Sequence, residues 1–144
     1  MDLPIHLDKR KPGGIKIGQK ARWKLFINTC FGGCAIGVSA AKALIRIWQE
    51  NPKDDKIACL PDAILPGKRK EMLKSSEKRL LIDGCRLQCG AKLFQRERMP
   101  VDRYIELTSH LDVNKVKELP SADLEDRVYK VINEVTHTLL KEDS

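Results

Sequence analysis

Aromatic residues and long apolar runs are both scarce in this chain. Only 5% of its 144 residues are aromatic, so it has few rings on which nucleic-acid bases could stack. No apolar run approaches the roughly 20 residues that a membrane-spanning helix needs, and residues 1–20 contain no stretch typical of a signal peptide. We therefore expect no membrane insertion, no nucleic-acid partner and a reducing, cytoplasmic setting.

Several motifs of cysteine and phosphate chemistry are missing as well. No arginine stands six residues after any of the five cysteines, as the loop of a cysteine phosphatase requires. A thioredoxin-like Cys-x-x-Cys pair is absent. Gly32, Gly33 and Gly37 fit neither the dinucleotide fingerprint nor the P-loop. We expect these glycines instead to let their loop approach a cluster formed by the cysteines.

Basic charge is plentiful, and it is concentrated near the start of the chain. The net charge is +7, and residues 1–24 carry seven basic side chains against two acidic ones. The segment Lys11-Pro12-Gly13-Gly14 interrupts regular structure. We therefore divide the chain into a basic N-terminal arm, residues 1–20, and a single domain, residues 21–144. The arm is either a solvated extension or a contact surface for a protein partner.

Short apolar strands alternate with helical patterns along the domain. The pattern predicts strands over residues 24–29, 56–60, 79–82 and 103–108, a short helix around Met72, and a last helix capped by Ser121. Such alternation is typical of an α/β fold, here a small parallel sheet of about four strands flanked by helices in a Rossmann-like three-layer sandwich. The apolar stripes expected to face the core are Ile36, Ala40, Leu44, Ile47 and Trp48, then Leu87, Ala91 and Phe94, and finally Leu124, Val128, Val131, Val135 and Leu139.

Cysteines follow the predicted ends of three strands. Cys30 comes directly after the first strand, Cys59 lies in the second, and Cys85 and Cys89 follow the third. Because the carboxyl ends of parallel strands share one edge of the sheet, we expect these side chains to meet there. Four thiolates suit the tetrahedral coordination of Zn²⁺. Cys34, one helical turn beyond Cys30, is a fifth candidate ligand.

Cys85 and Cys89 stand four residues apart, at the start of a predicted helix. A helix would project both side chains from one face, near amides that favour thiolates. We expect Asp83 either to cap this helix or to orient the cluster from outside it. His110, after the fourth strand, is expected at the surface, with a role as ligand or general base as the alternative.

The sequence leaves the use of these cysteines open, and with it whether the protein is an enzyme. A closed zinc site would be structural or a carrier site. An iron–sulfur cluster, serving electron transfer or cluster handling, is the alternative cofactor. A third possibility is an enzyme in which one cysteine is a nucleophile. Against all three stands the interpretation that the cysteines are buried as small apolar residues.

The segment Ile82-Asp83-Gly84-Cys85, followed by Cys89, resembles the signature of the DGC-domain family, to which zinc binding is ascribed. In that family a first cysteine lies in a glycine-containing loop after strand one, similar to Cys30. A second opens a Cys-Leu segment, similar to Cys59-Leu60. The resemblance implies a cysteine metal site but no particular reaction, because the function of the family is largely unknown.

The resemblance spans about residues 24–117. Its later part is a strand ending in Leu-Thr and then a lysine, similar to Leu107-Thr108 and Lys115. The chain departs from the family in two places, because the family more often has a small polar residue at the position of Cys34 and the basic arm lies outside the pattern. The ligand set that the resemblance implies is therefore four or five cysteines.

Overall fold

The computed structural model describes residues 22–113 and 119–141. Within these residues four parallel strands form a sheet in the order β2-β1-β3-β4, which confirms the predicted α/β sandwich. The strands are β1 (Trp23–Thr29), β2 (Asp55–Cys59), β3 (Ser76–Asp83) and β4 (Arg103–Glu106). The helices are α1 (Ala35–Glu50), α2 (Pro66–Lys74), α3 (Cys89–Arg96), α4 (Leu107–Leu111) and α5 (Ala122–Lys141), with a 3-10 turn at Leu60–Ala63.

Separate apolar cores cover the two faces of the sheet. Strand side chains alternate between faces, so Leu25 and Ile27 pack towards α1 and α5 while Phe26 packs towards α2 and α3. The central strands β1 and β3 are buried on both faces, which explains their continuous apolar runs. Helices on both faces leave the two ends of the sheet to the loops.

Helix α1 buries the predicted stripe except at Trp48. Ile36, Ala40, Leu44 and Ile47 are buried, whereas 42% of Trp48 is exposed. The prediction for Trp48 is wrong because this residue lies roughly a quarter turn from the middle of the stripe. In the same way α5 fully buries Ile132, whereas its neighbour Val131 is only half-buried. Ser121 caps α5 as predicted, with its hydroxyl accepting from the Leu124 amide at 3.0 Å.

The fourth strand is shorter than the sequence suggested. β4 ends at Glu106, and the Leu107-Thr108 pair begins α4. The Glu106 carboxylate accepts from the Ser109 amide at 2.7 Å and so caps the new helix. None of the described helices is both long enough and apolar enough to cross a lipid bilayer.

Asp55 opens β2 with its side chain almost fully buried. Only 3% of the residue is exposed. Burial raises the pKa of Asp55 from 3.8 to about 6; the neighbouring Asp54 carboxylate acts in the same direction, and Lys24 opposes both. A raised pKa means that folding favours the protonated acid, so the stability that this preference contributes is present below pH 3.8 and is lost as the pH rises through about 6.

We therefore expect Asp55→Asn to stabilise the domain at neutral pH. The gain in the free energy of unfolding should be on the order of 1–2 kcal/mol at about pH 7.5, after a discount for solvent screening, and should vanish below about pH 4. Urea unfolding at the two pH values measures it. Glu77→Gln is the matched control, because Glu77 is an exposed acid on β3. An unchanged or lower stability of Asp55→Asn at neutral pH would contradict this account.

Candidate metal centre

The three cysteine-bearing loops leave the same edge of the sheet. Thr29, the last residue of β1, pairs with Cys59 on one side and with Ile82 on the other. Cys30 therefore begins the loop after β1, Cys59 ends β2, and Cys85 lies two residues beyond the end of β3. The chain order reverses between β1 and β3, and α/β sheets bind ligands in the crevice outside such a reversal.

Glycines pack the β1 and β3 loops against each other at this edge. A Cβ at Gly84 would lie 3.6 Å from the Cα of Gly37, so the residue before Cys85 rests on the first turn of α1. A Cβ at Gly37 would lie 2.2 Å from the carbonyl oxygen of Gly32. Gly32 in turn passes Cys30 closely, since its Cβ would lie 3.7 Å from the Sγ atom. The close approach of the loop to a cysteine cluster stays a prediction.

The five cysteines are free thiols, and none is buried in the apolar core. Cys59 and Cys89 are exposed, while Cys30, Cys34 and Cys85 are half-buried. Free cysteine is ordinarily among the most buried residue types. The alternative in which all five are buried core side chains is therefore wrong, although Cys34 packs against the core on the α1 face.

Two of the sulfurs already have polar contacts. The Cys59 thiol donates to the Asp62 carboxylate at 3.7 Å, and Asp62 itself is buried in the 3-10 turn. Cys34 is the N-cap of α1, and its Sγ accepts from the Gly37 amide at 3.4 Å. Asp62 was not predicted from the sequence. The signal that could have indicated it is the Cys-x-x-Asp spacing, because one helical turn brings residues three apart into contact.

Helix α3 begins later than the sequence predicted. Its first residue is Cys89, and Gln88 before it adopts a left-handed conformation with φ of 53°. Cys85 therefore lies in the loop, so the prediction that Cys85 and Cys89 share one helix face is wrong. Leu87, expected in the buried stripe, is 57% exposed for the same reason.

Asp83 caps α3 from the end of β3, which confirms one of its two predicted roles. Its carboxylate accepts from the amides of Gly90 at 2.8 Å and Ala91 at 2.9 Å, and from the Tyr104 hydroxyl at 2.9 Å. Burial raises the pKa of Asp83 and the Glu106 carboxylate adds to the rise, whereas these three hydrogen bonds lower it. The two amides expected to favour a Cys89 thiolate thus bind Asp83 instead.

The side chains at this edge do not converge on one point. Across residues 22–113 and 119–141, no three Cys, His, Asp or Glu side chains are placed to hold one metal ion. His110, at the end of α4, is exposed. Lys115 and the basic arm lie outside the described residues. The four-thiolate site therefore stays a prediction, supported by the position of the loops.

The Asp83-Gly84-Cys85 element, placed between β3 and α3 at the carboxyl edge, is the segment that carries the family resemblance. The sequence model of the DGC domain matches residues 26–135. The chain belongs to the DGC domain family. The match includes all five cysteines and leaves the basic arm outside. No curated protein and no solved structure matches the chain significantly.

Proposed function

We propose that this DGC-domain protein binds zinc through Cys30, Cys59, Cys85 and Cys89. The observation that carries the proposal is the placement of four free thiols, two exposed and two half-buried, at or just after the ends of three neighbouring parallel strands. Free cysteine is ordinarily buried, whereas cysteines with a chemical role are at least partly exposed.

Cysteine thiolates are suitable ligands for zinc. Zn²⁺ binds thiolates readily, and four of them leave no open coordination position, so the site would serve structure or metal transfer rather than hydrolysis. Zinc binding must remove the thiol proton that Cys59 donates to the Asp62 carboxylate. It must also bring the four sulfur atoms closer together. Cys34 is the least suited of the five, because its sulfur caps α1.

Metal analysis and a visible spectrum of protein purified without oxygen test this proposal. We expect about one zinc per chain and a colourless solution. If the protein contains iron and sulfide and has a brown colour that bleaches on reduction, the cofactor is an iron–sulfur cluster and not zinc. No metal, with one cysteine alkylated much faster than the rest, would instead indicate a cysteine-dependent enzyme.

A further inference from the structure

Exposed apolar side chains are concentrated on the three cysteine-bearing loops. Among the described residues seven large hydrophobic side chains are exposed, and four of them lie between a strand end and the next helix. Single exposed hydrophobic residues are ordinary, whereas a concentration at one place marks an interaction surface. The four residues, which we call the apolar rim, are Phe31 after β1, Ile64 and Leu65 after β2, and Leu87 after β3.

Phe31, in the loop after β1, has a strained backbone conformation. Its φ is 49°, a left-handed conformation that costs a residue other than glycine on the order of 1–2 kcal/mol. In this conformation 42% of Phe31 is exposed, so the loop presents part of an aromatic ring to solvent.

The rim is surrounded by positive charge. Arg86 on the loop after β3 and Lys92 in the first turn of α3 are both exposed. The acid on these loops, Asp62, is buried against Cys59. An apolar centre with a basic periphery is complementary to a surface with apolar side chains and acidic neighbours.

We propose that the cysteine edge is a docking site for an acidic partner protein, whose apolar side chains cover the rim. A second copy of this chain fits less well, because both copies would present the same basic loops to each other. The basic arm is disfavoured by the same repulsion, and it precedes β1, whose first residue, Trp23, lies at the opposite edge of the sheet. Docking on loops, rather than through an amphipathic helix, favours a protein over a membrane surface.

Photo-cross-linking in cells identifies the occupant. A photoreactive amino acid is placed at Phe31 or Leu87, and at Ile45 on the outer side of α1 as a control of similar exposure. We expect positions 31 and 87 to capture the same acidic protein and position 45 not to capture it. That protein is then purified, and its affinity is measured calorimetrically with and without a zinc chelator.

The variants Phe31→Asn and Leu87→Ala should each weaken binding of the purified partner about tenfold or more. Asparagine removes the ring but tolerates the left-handed backbone, so this variant should stay folded. Ile45→Ala should change the affinity less than about twofold, as expected outside the interface. Added salt should weaken the complex.

Four results would overturn the proposal. They are cross-links to a second copy or another segment of the chain, cross-links to lipid, no product beyond the Ile45 control, and a captured protein whose affinity the variants leave unchanged. The chelator separates this proposal from zinc binding. Docking that persists without metal supports the interface whether or not zinc binds, and metal analysis alone decides the zinc site.

Discussion

Replacing Gly37 with alanine is expected to destabilise the domain by at least about 3 kcal/mol, the upper range for overpacking a rigid site. The new Cβ would lie 2.2 Å from the carbonyl oxygen of Gly32 and 2.8 Å from its carbon. These are backbone atoms, so no side-chain rotation relieves the clash. The β1 loop would have to move away from α1, and Cys30 and Cys34 would move with it.

Urea unfolding measures the effect, and Gly33→Ala is the matched control. A Cβ at Gly33 meets nothing within 4 Å, so this variant should stay within about 0.5 kcal/mol of the wild type. If Gly37→Ala fails to fold, comparing soluble yield and circular dichroism with Gly33→Ala still decides the question. Equal stability of the two variants would show that the loop does not pack as described.

Replacing Asp83 with alanine is expected to cost about 3–5 kcal/mol, because it leaves two buried amides without an acceptor and removes the cap of α3. The amides belong to Gly90 and Ala91, both of which are buried. The Tyr104 hydroxyl loses its partner as well. Relief of the burial that raises the pKa of Asp83 offsets part of this loss.

Two further variants test how much of the stability lost in Asp83→Ala comes from each hydrogen bond. Tyr104→Phe removes one of the three hydrogen bonds and should cost about 1 kcal/mol. Asp83→Asn keeps one acceptor oxygen but turns an amide group towards a donor, so its stability should fall between the other two. Chemical unfolding gives the order of the three values. Asp83→Ala with the stability of wild type would contradict the account of Asp83 as the buried cap of α3.

The sheet could be predicted because its central strands are continuous apolar segments of the sequence. Leu25-Phe26-Ile27 and Leu80-Leu81-Ile82 are fully buried, and such short runs between turn signals are typical of strands covered on both faces. The cysteines follow the strand ends closely, so their edge of the sheet was predictable too. Parallel pairing is what makes residues distant in sequence share that edge.

Local backbone geometry set the limit of prediction. Nothing in the sequence shows that Gln88 turns left-handed and delays α3 until Cys89, which moves Cys85 into the loop and exposes Leu87. The contact between Asp62 and Cys59 also depends on a 3-10 turn that composition does not indicate. The positions of the sulfur atoms depend on such turns, whereas the positions of the strand ends do not.

Zinc stoichiometry in paired cysteine variants tests the central claim most directly. The wild type and Cys34→Ser are each expected to retain about one zinc per chain after gel filtration without oxygen, while Cys85→Ser should lose most of it, because a zinc thiolate site tolerates the loss of a ligand poorly. Circular dichroism checks that the variants stay folded. Equal zinc content in Cys85→Ser and the wild type, or no zinc in either, would contradict a thiolate zinc site at the carboxyl edge of this sheet.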